Sequence, residues 1–173
     1  MEDKLADMKV ADYPDTFRLR SMYTSGKLEV FTPGSAESAA ASSNKATVAK
    51  VLVLNVVKDV MKFDKVLLTA KAGTTIQIVL NNPDFMQHNL VVVKPKMLEK
   101  VGAAADNLAR DPNGAKLNYV PRMPEVLAAT PLINPAGKFT LTFKVPDVAG
   151  DYPYICTFPG HWRIMKGVLR VTK

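Results

Sequence analysis

Four side chains in this sequence have the chemistry to bind a soft metal ion together. The segment Cys156-Thr-Phe-Pro-Gly-His161-Trp-Arg-Ile-Met165 carries a thiol, an imidazole and a thioether on one short stretch, and the only other histidine is His88. Two imidazoles, one thiolate and a distant thioether form the ligand set of an electron-transfer copper site. Sulfur ligands favour Cu(I), whereas imidazole suits both oxidation states. A protein that holds the set in a compromise geometry lets copper change charge with little rearrangement.

Each residue alone has an ordinary structural reading. A single Cys is most often a small buried hydrophobe, and a Met fills core gaps. Either histidine could be a surface or half-buried residue. The combination is what carries weight: the chain has one Cys and two His, and two of those three share a loop with Met165. Zinc is the chemical rival, but a structural zinc site takes four Cys or His ligands, and this chain supplies three.

These residues need elements to position them. From Thr47 onward the sequence is a series of short runs: Thr47 to Val57, Phe63 to Ala70, Thr75 to Leu80, His88 to Lys94, 138–145, Asp151 to Cys156 and Gly167 to Thr172. Turn residues such as Lys71-Ala-Gly73 and Asn81-Asn-Pro-Asp84 separate them. In 138–145, Phe139, Leu141, Phe143 and Val145 alternate with polar residues, the period of a half-buried strand. Short strands without alternating helices predict an all-β sandwich. Residues 95–130 are the exception. Met97 to Ala109 has helical composition, Pro112-Asn-Gly114 ends it, and a Pro-rich loop follows, so this stretch is expected to be a flap between two strands. The Cys156–Met165 loop then lies between the last two strands, and His88 opens an earlier one.

Before Thr47 the pattern differs. Residues 1–14 suit a short polar helix ended by Pro14, 16–31 suit a hairpin turning at Ser25-Gly26, and 32–46 (TPGSAESAAASSNKA) have linker composition. The expected organisation is an extension or linker at 1–46, the tail of a preceding domain, and one domain at 47–173.

Charge is also uneven. The whole chain carries +7. Residues 1–45 net −1 and residues 46–173 net +8, which suits an acidic partner. The Lys and Arg are scattered, without the aromatic-interleaved basic motifs of RNA binders, so nucleic acid is not expected. No stretch is long and apolar enough for a transmembrane helix. Met1 to Asp15 is charged and lacks the apolar stretch of a signal peptide.

Cys156-Thr-Phe-Pro-Gly-His161-x-x-x-Met165-Lys-Gly resembles the copper loop of azurins and auracyanins, small cupredoxins. Met86-x-His88-Asn89 resembles their first-histidine segment, 61–69 (MKFDKVLLT) their second strand, and Val126 through Val145 the approach to the loop. The resemblance spans roughly residues 47–173. It implies an eight-stranded Greek-key sandwich (cupredoxin-like) with a helical flap, one type 1 (blue) copper ion per chain, and electron transfer rather than catalysis. His88, Cys156 and His161 would be the equatorial ligands and Met165 the weak axial one. Asn89 would tie the two ligand loops together, and its N–H with that of Phe158 would point at the Cys156 sulfur.

The sequence departs from the azurin pattern at three places. Gln87 replaces the Gly whose carbonyl gives azurin a fifth distant contact. Trp162 and Arg163 replace small residues beside the loop histidine. The azurin disulfide cannot form. By resemblance, His161 should present its ring edge to solvent, with a partner docking on Phe85, Met86, Pro159, Trp162 and Arg163, and with Met61 and Met123 at the border. The expected partner is a redox protein such as a cytochrome or a dehydrogenase, either free or fused, in a periplasmic or extracellular setting. A copper carrier or storage module is the alternative. Copper nitrite reductase or multicopper oxidase chemistry needs more histidines than the chain has.

Overall fold

A computed structural model of the protein describes residues 47–173, so the helix, hairpin and linker expected before Thr47 lie outside the described residues. Nine strands and one helix follow in the order β1 (Val48–Val57), β2 (Lys62–Phe63), β3 (Leu67–Lys71), β4 (Thr75–Asn81), β5 (Val91–Val93), α1 (Leu98–Leu108), β6 (Val126–Ala129), β7 (Lys138–Lys144), β8 (Gly150–Ile155) and β9 (Lys166–Thr172).

The strands form two sheets, ordered β2-β1-β4-β7 and β3-β9-β8-β5-β6. β1 runs parallel to β4 and β3 parallel to β9; the other pairs are antiparallel. Strict alternation builds the core between the sheets. Ile76, Ile78 and Leu80 of β4 turn inward, as do Leu141 and Phe143 of β7 and Leu169 and Val171 of β9, while their neighbours are partly or fully exposed. This is the expected all-β sandwich.

Three details differ from expectation. The run Phe63 to Ala70 is two strands, because the chain crosses from one sheet to the other between them. Asp64 holds that crossing, accepting at Oδ1 from the Asn55 N–H (2.8 Å) while its own N–H donates to Asn55 O (2.8 Å). The run His88 to Lys94 pairs regularly only at Val91–Val93, and His88 makes an isolated bridge to Ile133. The Pro-rich stretch hides β6, an edge strand on β5; with the split of Phe63 to Ala70 into β2 and β3, it turns the seven runs read in the sequence into nine strands, one more than the eight implied by resemblance.

The flap helix forms where its composition places it and buries Val101, Gly102 and Ala105. All three β5 residues are buried, so the strand serves two cores. Val92 joins the core between the sheets, while Val91 and Val93 join Val101, Ile155 and Trp162 in a second cluster under α1. No helix among the described residues is long and apolar enough to cross a membrane.

Candidate metal centre

β8 ends at Ile155 and β9 begins at Lys166, and these two residues pair, so Cys156 and Met165 stand at the two feet of one loop. The loop closes on itself. The Cys156 N–H donates to Met165 O (3.0 Å), the Met165 N–H to His161 O (2.8 Å), and the His161 N–H to Phe158 O (3.0 Å). Gly160 makes the reversal at φ +83°, in the left-handed region that glycine enters without strain.

The fold brings the expected ligands together. The Nδ1 atoms of His88 and His161 both lie 3.7 Å from the Cys156 sulfur. The three ligand atoms fall within 4.8 Å of one another, and all three residues are buried. Donors sharing one ion at about 2.0–2.3 Å from each would have separations of this size. The two imidazole rings are 5.0 Å apart, centre to centre. Met165, at the second foot of the loop, is fully buried. The donor set and its spacing therefore fit one copper ion.

Burial sets the proton affinities. It pushes the Cys156 thiol up to about 12, against the opposing effect of hydrogen bonds from the Asn89 and Phe158 backbone N–H groups. By resemblance, these two N–H groups are expected at the sulfur. Burial, and then the neighbouring His88 ring, bring His161 down to about 4. His88 is also held below its usual value by burial, with Asp84 opposing. Without an ion, the pocket thus favours a neutral thiol and neutral rings. A cation binding there must displace the thiol proton.

Side chains join the two ligand segments. Asn89 Oδ1 accepts from the Thr157 N–H (2.7 Å), and its Nδ2 donates to Thr157 Oγ1 and to Asn118 O (2.8 Å each). This is the tie expected of Asn89. Residues that sequence reasoning did not single out complete the frame. Asn82 Nδ2 donates to Met86 O and Ile133 O, and its Oδ1 accepts from the Asp84 N–H. Asp84 Oδ2 lies 2.9 Å from His88 Nε2. Asn82-Pro83-Asp84 was legible only as a turn. The four-residue step from Asp84 to His88 is a helical spacing, but residues 84–88 form no helix, and the segment bends to bring the two side chains together.

The expected surface residues separate. Phe85 is 68% exposed, and Met86, Gln87 and Pro159 are half-buried. The Gln87 side chain donates to Asn134 Oδ1 (2.6 Å). Two expectations fail. His161 is only 2% exposed, because Phe158 packs at 4.9 Å against its ring and Tyr119 packs against Phe158 in turn. Trp162 is 4% exposed and faces α1 rather than solvent. Gly102 permits this, since a Cβ there would lie 2.3 Å from the indole. Trp162 Nε1 donates to Asp106 Oδ1 (3.0 Å). Arg163 is exposed but paired with Asp106 (2.9 Å) and stacked 4.3 Å over the indole, so it is not an unpartnered charge.

The chain is similar to known proteins. The sequence profile described as "Copper binding proteins, plastocyanin/azurin family" matches residues 49–172. Auracyanin-A of Chloroflexus aurantiacus is 39% identical over 113 residues, covering 64% of this chain and 67% of that one. Azurin-1 of Alcaligenes xylosoxydans xylosoxydans is 35% identical over 122 residues, covering 65% of this chain and 91% of that one. The crystal structure of dithionite-reduced auracyanin from Roseiflexus castenholzii superposes with a TM-score of 0.64 at 30% identity, covering 73% of this chain and 99% of that one. With the profile matched across nearly all the described residues, this chain belongs to the plastocyanin/azurin family of copper binding proteins.

Proposed function

We propose that the protein is a single-electron carrier whose one copper ion is held by His88, Cys156, His161 and Met165. The observation that carries this reading is the convergence of two imidazole nitrogens on one buried thiol, each at 3.7 Å. Bound there, copper supplies a Cu(II)/Cu(I) couple. The protein contributes a donor set of mixed softness, a loop closed by its own hydrogen bonds, and a water-poor pocket. Fixed donors change little between oxidation states, which keeps electron exchange fast. Burial of the whole ligand set also argues against a copper carrier, which must hand its ion to another protein.

The partner in this reading is another redox protein, such as a cytochrome or a dehydrogenase, free or fused, in a periplasmic or extracellular setting. It approaches over Phe85, Met86 and Pro159, close to the Phe158 ring that covers His161. Residues 1–46 serve as an extension or linker to the domain that starts at Thr47.

Cu(II) added to the metal-free protein tests the site. An intense visible thiolate-to-copper band, absent in Cys156→Ser, is expected, together with a reversible one-electron wave in voltammetry. A colourless complex in the unmodified protein would overturn the reading. Strong binding of Cu(I) alone, without the wave, would favour carriage.

A further inference from the structure

The His88 ring has a buried anion behind it. Asp84 has a side chain 1% exposed, and its Oδ2 sits 2.9 Å from His88 Nε2, on the far side of the ring from the Cys156 sulfur. Its Oδ1 accepts from the Phe85 N–H (2.9 Å) and the Asp59 N–H (3.1 Å). The backbone under the pair is fixed as well. The Asp84 N–H donates to Asn82, Asn82 donates to Ile133 O, and His88 and Ile133 exchange backbone hydrogen bonds. Carboxylate and ring are therefore held by one frame. Among the described residues, Asp84 is the only carboxylate hydrogen-bonded to either imidazole.

Resting on the copper reading, we propose that Asp84 is a positioning residue for the metal. It fixes the His88 tautomer that leaves Nδ1 free to coordinate, and its charge makes His88 a stronger donor than His161. An ionised carboxylate accepting the Nε2–H locks the proton on that nitrogen and raises the basicity of the other. A charge in a water-poor interior is weakly screened, so a fixed anion there favours the more highly charged Cu(II) over Cu(I). The predicted consequence is a reduction potential lower than that of the same site without Asp84, and two imidazoles that are electronically unequal.

Anchoring the Asp59 and Phe85 backbone is a separate task, performed by Oδ1. A residue that served only that purpose would leave the potential unchanged when replaced by an amide, which keeps an acceptor for those N–H groups. Asp84→Asn removes the charge and faces His88 Nε2–H with either a neutral carbonyl or another donor.

Two measurements decide the matter. Pulsed EPR on unmodified protein loaded with Cu(II) reads the uncoordinated nitrogen of each histidine. Two distinct nitrogen quadrupole couplings, one reduced as by a charge-assisted hydrogen bond, are expected; an identical pair would overturn the proposal without any variant having to fold. Voltammetry of Asp84→Asn should give a higher potential with the fold intact by circular dichroism, and an unchanged potential would overturn it. Absence of the thiolate band in the unmodified protein would instead overturn the copper reading, and this inference with it.

Discussion

The two segments that meet at the pocket are held in different ways. The loop at 156–165 is built locally, by hydrogen bonds between its own residues, and is then clamped from outside by α1 through Trp162, Gly102 and Asp106. The segment at 82–89 has little regular structure and is held from inside by buried polar side chains, Asn82, Asp84 and Asn89. A loop with few internal degrees of freedom can be steadied by apolar packing. A segment without strand pairing has to satisfy its backbone groups with side chains, one specific hydrogen bond at a time.

If the clamp matters as much as the packing suggests, the largest effect comes from Trp162→Ala. Emptying the space under α1 should lower the unfolding free energy of the metal-free protein by about 3–5 kcal/mol, read by urea denaturation. A loss below about 1 kcal/mol would mean that the loop needs no outside support.

Acid tests the ring side of the same contrast. His161, brought down to about 4, has no carboxylate partner, whereas His88 has Asp84. Between pH 6.5 and about 4 the unfolded chain takes up a proton at His161 that the fold refuses. Stability of the metal-free protein should therefore be fully present above pH 6.5 and fall through this window, by up to about 3 kcal/mol. A flat profile over that range would show that the loop opens to accept the proton.

Asn89 belongs to both regions. Asn89→Ala leaves the buried Thr157 N–H without its acceptor, and a loss of about 1–3 kcal/mol is expected in the same denaturation assay. The smallest effect belongs to Arg163→Ala. Its ion pair and stacking lie at the surface, so the change should stay below about 1 kcal/mol. A larger loss would place part of the clamp in the arginine rather than the indole.

The same contrast explains what could be read in advance. Cys156, His161 and Met165 are close in sequence and lie on a loop bounded by two alternating strands, so type and spacing sufficed. His88 was identifiable because no other histidine remained. Asp84 was not, because its role depends on a ring brought back to it by the bend at Phe85-Met86-Gln87, and composition along the chain carries no such information. The burial of Trp162 is not legible in the sequence for a related reason. Its exposure is decided by a helix more than fifty residues earlier, and by the missing side chain at Gly102 that lets that helix approach. His161 was expected at the surface because ring position on a loop is legible, while the cover supplied by Phe158 and Tyr119 is tertiary. β6 is not legible because a short edge strand after several prolines lacks the alternation seen in β4, β7 and β9.

The burial of the single cysteine has a consequence for how this protein can fail. Cys156 has no exposed surface, so oxidants and other thiols cannot reach it while the fold holds. Unfolding releases a free thiol, together with a chain that has no second cysteine with which to close an internal disulfide. Under aerobic conditions the exposed sulfur can pair with another molecule or proceed to sulfinic acid, and neither product can rebuild the pocket. Heat damage should therefore turn from reversible to permanent at the rate at which the unfolded thiol is captured, and a reducing agent present during heating should restore recovery.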